Sequence, residues 1–195
     1  MTHIVLTGNA GSGKDTAGIF LSAELGIQRI AFADEVRDMM WELNIPLYDT
    51  VMGQITYRVA VETFGYDKAK RAFPDIRRTL DALATKIIRN RVDKDYFANI
   101  TVNKALSMGD SIITDARFDN EKRIAKDVLD ALVIKIDRPG TKKLDLESEN
   151  ITDNYVDIVV VNDGSVEDLH AKLEEVIGCL LYTSDAADER SSGDL

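Results

Sequence analysis

The sequence has few of the residues that build disulfide frameworks and metal cages. Its 195 residues include one cysteine and two histidines, so a disulfide-stapled fold, a histidine-based zinc site and thiol chemistry are excluded. No apolar run approaches the ~20 residues of a membrane span, and the first residues lack the pattern of a secretory signal. The sequence therefore predicts a cytoplasmic protein that has no membrane partner.

Positive charge is also scarce. The chain carries 34 acidic residues against 24 basic ones, a formal net charge of −10. Because binding to a nucleic-acid backbone needs a basic surface, no nucleic-acid partner is expected, and any phosphate contacts have to be local. With 45% apolar and 30% charged residues, the composition is that of one globular domain.

Short apolar segments alternate with amphipathic helices along the chain. The segments predicted as strands are residues 4–7, 29–33, 111–114, 132–137 and 157–161. Five short strands linked mainly by helices predict an α/β fold, a parallel sheet that is covered on both faces. Between residues 48 and 106 the pattern predicts helices only. Right-handed crossovers bring the C-terminal ends of the strands to one edge of the sheet, where ligands of such folds bind.

A glycine-rich loop between the first strand and the first helix carries the clearest chemical signal. It reads Gly8-Asn9-Ala10-Gly11-Ser12-Gly13-Lys14-Asp15-Thr16. In this setting the backbone N–H groups and the helix N-terminus bind an anion, and the lysine reaches the β and γ phosphates of a nucleoside triphosphate. Asp15 stands where most such loops carry Ser or Thr, so Asp15 and Thr16 are the predicted Mg²⁺ ligands. The alternative is a plain glycine-rich turn with an exposed lysine.

Further motifs follow the loop later in the chain, and the pattern that they form with it spans residues 3–177. They are Phe32-Ala33-Asp34, the run from Ile113 to Glu121, Arg138-Pro139-Gly140, Ser148-Glu149 and Asn162-Asp163-Gly164. Together they resemble the bacteriophage-type deoxynucleoside monophosphate kinases, and the Asp-x-Arg-Phe-x-Asn-Glu run is the most particular of them. The resemblance implies a three-layer P-loop fold. It also implies Mg²⁺-dependent transfer of the γ-phosphoryl group of ATP to a deoxynucleoside 5′-monophosphate.

Charged residues near the ends of two predicted strands fit this chemistry. Asp115 can hold the water shell of the magnesium ion, and its alternative role is a helix cap. Arg117 can bind a phosphate through two hydrogen bonds, and its alternative is a solvated pair with Glu121 worth ~0.3–0.5 kcal/mol. Asp34 and Arg37 open the next helix at the expected mouth of the acceptor site. Capping of that helix is the alternative role of Asp34.

Two more arginines lie in a helical insertion, predicted at residues 44–107, between the second and third strands. Nucleoside monophosphate kinases carry their acceptor-binding domain at this position, so Arg77 or Arg78 is expected to meet the acceptor phosphate. A solvated helix face is the alternative, since Arg77 can pair with Asp81.

The polar segment at residues 138–154 is long for a connector in a compact domain. We expect it to be a lid in which Arg138, with Lys142 and Lys143, closes over ATP and excludes water. Solubility is the alternative role of the two lysines.

Two other functions use the same loop. A kinase of another small phosphorylated metabolite, of the dephospho-coenzyme A or phosphomevalonate type, needs only a different acceptor pocket. A nucleotide-dependent regulatory switch is disfavoured, because no Asp-x-x-Gly follows the third strand. The preferred base, the choice between deoxyribose and ribose, and the oligomeric state, a homodimer included, stay open.

The last residues of the chain differ in character from the rest. The segment from Cys179 to Glu189 resembles the in-frame translation of a sequencing-library adapter, and residues 190–195 resemble index and primer sequence. We therefore expect the natural domain to occupy residues 1–178 and the tail at 179–195 to be an artefact. An ordinary polar tail is the alternative.

A chain that ends at Gly178 is expected to keep the thermal midpoint and the reaction rate of the full chain, because an adapter-derived tail contributes no packing. Thermal unfolding and steady-state rates of the two chains measure this. A midpoint several degrees lower in the shorter chain would show instead that the tail packs against the domain.

Overall fold

The computed structural model describes residues 1–50, 53–141 and 150–191, with backbone only at residue 50 and residues 179–191. The chain divides into two compact units, one formed by Met1–Ile30 with Ala105–Leu195 and the other by Ala31–Lys104. Within the described residues, none of the helices combines the length and apolar character needed to cross a bilayer.

The strands lie in two sheets. In chain order they are β1 (His3–Thr7), β2 (Gln28–Ile30), β3 (Pro46–Thr50), β4 (Gly53–Thr56), β5 (Ser111–Ala116), β6 (Leu132–Asp137) and β7 (Ile158–Val161). The first unit contains a five-stranded sheet in the order β2-β5-β1-β6-β7, and every neighbouring pair in it is parallel. The predicted α/β class with five parallel strands is confirmed.

Helices account for most of the remaining chain. They are α1 (Lys14–Leu25), α2 (Ala33–Leu43), α3 (Tyr57–Phe64), α4 (Tyr66–Ala72), α5 (Pro74–Asp81), α6 (Tyr96–Met108), α7 (Asp119–Leu129) and α8 (Val166–Ser191), and a π-helical segment, Ala82–Val92, continues α5. The pattern Ser165-x-x-Asp168 predicts a capping box at the start of the last helix, and the structure confirms it. The backbone N–H of Ser165 donates to Asp168 (2.8 Å), and the N–H of Asp168 donates to the Ser165 hydroxyl (3.1 Å).

The core of the first unit lies on both faces of the sheet. Every residue of β1 is buried, as expected for a central parallel strand. On one face, Ile4 and Leu6 pack with Leu21 of α1 and with Leu169 and Leu173 of α8. The intervening β1 side chains point to the opposite face, and α7 packs against β1 and β6. The loop after β1 therefore starts from a rigid platform.

The second unit is helical around a small antiparallel hairpin. Its core contains Met40, Tyr57, Ala60, Ala69 and Ile76. The hairpin pairs β3 with β4, so the prediction of helices only between residues 48 and 106 is wrong. These strands are largely exposed and carry no apolar alternation that could reveal them. The second predicted strand was also too long, because β2 ends at Ile30 and α2 begins at Ala33.

Ile76, Leu80, Leu83 and Ile87, spaced four, three and four residues apart, predict one buried helical stripe, and a change in helical winding breaks it. Ile76 is buried and Leu80 and Leu83 pack against the same core, as their spacing predicts, whereas Ile87 is 47% exposed. The helix adopts π winding from Ala82 onward. A π-helix has more residues in each turn than an α-helix, so spacing counted for α winding no longer keeps a residue on the buried face.

A buried lysine ties the start of α7 to the segment before β7. The side chain of Lys122 is fully buried, and its ammonium group contacts the Asp119 carboxylate (2.9 Å) and the Thr152 carbonyl (2.8 Å). Asp119 also accepts hydrogen bonds from the Thr152 hydroxyl (2.5 Å) and the Asn154 amide (2.8 Å). Partial burial raises the pKa of Asp119, but the hydrogen bonds from Thr152, Lys122 and Asn154 outweigh it, so the pKa lies below its ordinary value.

Replacement of Asp119 by alanine leaves the buried Lys122 charge beside the uncharged carbonyl and hydroxyl groups of Thr152. We expect Asp119→Ala to lower the free energy of unfolding by ~1–3 kcal/mol at pH 7, less than for a fully buried pair because Asp119 is partly exposed. Since the folded pKa is depressed, this stabilisation is present at neutral pH and disappears as the pH falls below about 4. Urea unfolding at several pH values measures it.

The matched control removes an exposed ion pair from the same helix. Asp127 accepts a hydrogen bond from Arg123 at 3.0 Å, and both side chains are substantially exposed. Asp127→Ala is expected to change the free energy of unfolding by no more than about 0.5 kcal/mol. Equal effects of the two substitutions would refute the anchoring role of Asp119.

Candidate active site

The glycine-rich loop connects β1 to α1, and two of its glycines are required by their surroundings. Gly8 and Gly13 have φ angles of 143° and 102°, a region that side-chain-bearing residues rarely adopt. A Cβ atom on Gly8 would lie 2.3 Å from the carbonyl oxygen of Ile136, and one on Gly13 would lie 2.5 Å from the Asn162 amide nitrogen. The loop therefore passes close to the ends of β6 and β7.

Lys14 is the first residue of α1, and its side chain contacts the loop that precedes the helix. Its ammonium group donates to the carbonyl oxygens of Gly8 (2.7 Å) and Asn9 (2.8 Å). The loop is further closed by a hydrogen bond from the N–H of Ser12 to the carbonyl of Asn9 (3.1 Å). A positive charge is thus held where the loop and the helix N-terminus meet, as phosphate binding requires.

A buried hydroxyl group of the loop fits an anionic ligand. The hydroxyl oxygen of Ser12 and the side-chain oxygen of Asn9 are buried, and neither has a hydrogen-bond partner among the residues that the structure describes. Buried polar groups in proteins are nearly always paired. A phosphate oxygen can accept a hydrogen bond from the Ser12 hydroxyl, so the residues present fit a nucleotide phosphate.

Asn162 contributes to the loop from the opposite end of the sequence. It follows β7, is only 6% exposed, and donates from its side-chain amide to the Ser12 carbonyl (2.8 Å). Its backbone N–H donates to the carbonyl of Asp137, the last residue of β6 (2.7 Å). Sequence reasoning did not assign this residue to the site. The one available signal was its place in the Asn162-Asp163-Gly164 motif.

The predicted magnesium ligands of the first unit come from the start of α1 and from strand β5. Asp15 and Thr16 lie in the first turn of α1. Asp115 lies inside β5, which continues to Ala116, rather than after it as predicted. Thr7 pairs with Ala116 and donates its hydroxyl to the Ala116 carbonyl (2.8 Å). The end of β5 is therefore fastened to the end of β1, where the loop starts.

Arg117 is held by a buried carboxylate. Glu121 is 5% exposed, and one of its carboxylate oxygens accepts hydrogen bonds from the backbone N–H groups of Arg117 (2.8 Å) and Phe118 (3.1 Å). Glu121 is shielded from water, so it does not belong to a solvated face of the helix. Its carboxylate fixes the turn that carries Arg117 at the N-terminus of α7.

Only the ends of the predicted lid are described. Arg138 follows β6 at the same edge of the sheet, is exposed, and its carbonyl accepts hydrogen bonds from the hydroxyl (2.9 Å) and the N–H (3.3 Å) of Thr141. At the other end, Lys122 binds Thr152. Lys142 and Lys143, with the Ser148-Glu149 motif, lie outside the described residues.

In the second unit, Asp34 orients Arg37. The Asp34 carboxylate accepts hydrogen bonds from the N–H of Ala31 (2.8 Å) and from the Arg37 guanidinium (2.7 Å). The guanidinium also lies 4.8 Å from the ring centroid of Tyr66. Asp34 lies in the first turn of α2, two residues beyond the N-cap position, which Phe32 occupies. Capping therefore does not fully account for Asp34.

The arginine pair of α5 is split between two environments. Arg78 is exposed and pairs with Asp75 at 3.0 Å. An ion pair at an exposed site is worth little and is readily exchanged for a phosphate. Arg77 is half-buried on the adjacent face of the helix.

Comparison with known proteins identifies the family. The deoxynucleotide monophosphate kinase family model matches residues 54–173, more than half of the chain and without the glycine-rich loop. A protein of Acanthamoeba polyphaga mimivirus assigned as a deoxynucleotide monophosphate kinase is 28% identical over 196 residues, which cover 92% of this chain and 96% of that protein.

Two further likenesses are more limited, the first in its coverage and the second in its sequence identity. The deoxynucleotide monophosphate kinase of Enterobacteria phage T4 is 31% identical over 112 residues, 54% of this chain and 46% of the phage enzyme. The chain thus matches less than half the length of that relative. Shikimate kinase from Aquifex aeolicus is 19% identical, with a TM-score of 0.47 over 92% of this chain and 99% of that chain. By the family match, the chain belongs to the deoxynucleotide monophosphate kinase family and is a kinase.

Proposed function

We propose that the chain binds ATP at the loop between β1 and α1 and transfers the γ-phosphoryl group to a deoxynucleoside 5′-monophosphate. The observation that carries this proposal is the loop itself. Its two close-packed glycines, the Lys14 ammonium group and the Ser12 hydroxyl, which has no partner among the described residues, support a site for the phosphates of a nucleotide.

The reaction needs no side-chain nucleophile. A phosphate oxygen of the acceptor attacks the γ-phosphorus in line, the bond from this phosphorus to the β–γ bridging oxygen breaks, and ADP and a deoxynucleoside diphosphate result. The chain contributes orientation and charge. Lys14 and the amides of the loop stabilise the negative charge that shifts toward the leaving oxygen.

Three oxygen-bearing side chains are proposed as holders of Mg²⁺. Asp15 and Thr16 stand at the start of α1, and Asp115 stands near the end of the adjacent strand β5. Carboxylates and hydroxyls are the hard oxygen donors that Mg²⁺ prefers. When bound, the ion neutralises charge on the β and γ phosphates.

Arginines are the proposed ligands of the acceptor and of the transferred group. Arg117, Arg37 and one of Arg77 and Arg78 are assigned to the acceptor phosphate, with Asp34 orienting Arg37 by their 2.7 Å hydrogen bond. Arg138, at the same sheet edge as the loop, is assigned to the transferred phosphoryl group. Each guanidinium can form two parallel hydrogen bonds to a phosphate.

The deciding experiment is an assay of coupled ADP release over a panel of acceptors. The panel contains dAMP, dGMP, dCMP, dTMP and modified monophosphates, with dephospho-coenzyme A and acceptor-free reactions as controls. Release that depends on a deoxynucleoside monophosphate supports the proposal and names the preferred base. Release with dephospho-coenzyme A alone would establish the metabolite-kinase alternative.

Lys14→Ala is expected to lower turnover by at least ~100-fold in a chain that still folds, because the ammonium group acts on charge in the transition state. Its affinity for an ATP analogue is also expected to fall. The matched control is Lys68→Ala, an exposed lysine of α4, which should leave the rate unchanged. Near-normal turnover of a folded Lys14→Ala chain would show that the loop does not take part in the reaction.

Substitution of the arginines assigned to the acceptor phosphate should affect the kinetics of the monophosphate and leave ATP binding nearly unchanged. We expect Arg117→Ala, and at least one of Arg77→Ala and Arg78→Ala, to lower kcat/KM for the monophosphate by roughly 10- to 200-fold. Affinity for an ATP analogue, measured by calorimetry, should stay within about threefold. Arg123→Ala, which removes an exposed ion pair of α7, is the control. Normal acceptor kinetics in all three variants would disprove this assignment.

A further inference from the structure

One side chain joins the end of β7 to the phosphate-binding loop. The amide of Asn162 donates to the Ser12 carbonyl at 2.8 Å, and its backbone N–H donates to Asp137 at 2.7 Å. The residue is therefore held by its main chain to the end of β6 while its side chain holds the loop. At 6% exposure, this contact is shielded from water.

The contact controls the direction of a backbone N–H. In a trans peptide the carbonyl of one residue and the N–H of the next point in opposite directions. Because Asn162 draws the Ser12 carbonyl toward itself, the N–H of Gly13 is directed away from Asn162. Rotation of this peptide unit would turn the Gly13 N–H with it, and loop N–H groups are what bind a phosphate in such loops.

The same amide group of Asn162 also packs closely against Gly13, the second residue of this peptide unit. The Asn162 amide nitrogen lies 2.5 Å from the position that a Cβ atom on Gly13 would occupy. Gly13 also immediately precedes Lys14, whose ammonium group contacts the loop carbonyls. The orientation of one peptide unit and the position of the lysine are thus both linked to Asn162.

We propose that Asn162 is a positioning residue for the phosphates of the nucleotide, which it affects through the Ser12–Gly13 peptide unit without touching the nucleotide. The inference rests on the proposed use of the loop for ATP. It assigns to Asn162 a role on the donor side of the reaction only, so acceptor binding should not depend on it.

The test uses the full chain with Asn162→Asp and Asn162→Ser. The aspartate keeps the size of the side chain, but its carboxylate cannot donate to the Ser12 carbonyl. The serine keeps a donor that is too short to reach. We expect both to weaken ADP binding in calorimetry by roughly 5- to 100-fold and to raise KM for ATP by a similar factor, as loss of a buried hydrogen bond implies. KM for the monophosphate should stay within about twofold.

The matched control is the neighbouring Asp163→Asn, which removes an exposed ion pair with Lys172 (2.7 Å). It should leave ADP binding and both KM values unchanged. Thermal midpoints of all variants are compared with that of the unaltered chain. Equal losses for ATP and acceptor, or failure of both Asn162 variants to fold, would mean that the residue is structural and would overturn the inference.

The readout separates this inference from the proposed function. If the unaltered chain binds ADP but phosphorylates no deoxynucleoside monophosphate, while the Asn162 variants lose ADP binding, the proposed function fails and the role of Asn162 stands. If the unaltered chain is active and the variants bind ADP normally, the proposed function stands and the role of Asn162 fails. A chain that does not bind ADP at all would contradict both.

Discussion

The phosphate-binding loop depends on the close approach of its backbone to the ends of two strands. Gly8 lies against the carbonyl of Ile136 in β6, and Gly13 lies against the amide of Asn162 after β7. A side chain at either glycine would push the loop away from the sheet. Because Lys14 follows Gly13 directly, that displacement would also move the ammonium group. The parallel order of β1, β6 and β7 therefore sets the shape of the site.

A chain with a net charge of −10 must concentrate positive groups locally to bind phosphates. Several of its carboxylates are engaged in holding such groups or the backbone beside them. Glu121 accepts hydrogen bonds from the backbone at Arg117, and Asp119 pairs with the buried Lys122. Asp34 does the same for Arg37 in the second unit. Acidic residues thus hold basic side chains, or the backbone beside them, in place.

The predictions that are confirmed rest on contacts between residues close in sequence. The cap of α8 forms within four residues, from Ser165 to Asp168, and the burial of β1 follows from its unbroken apolar run. The wrong predictions concern segments whose sequence pattern does not indicate the structure that they adopt. The β3–β4 hairpin is mostly exposed and shows no alternation, and Ile87 leaves the buried face because the helix changes from α to π winding.

The sequence by itself determined the α/β class, the glycine-rich loop and the place of Lys14, because the pattern of a strand and the chemistry of such a loop depend on residues that are neighbours in the sequence. Only the tertiary structure decided which distant groups support that loop. The hydrogen bond from Asn162 to Ser12 joins residues 150 positions apart, and Lys122 reaches Thr152 across 30 positions. Such contacts depend on the order in which strands assemble in the sheet, and that order is a property of the packed core, which no local pattern specifies.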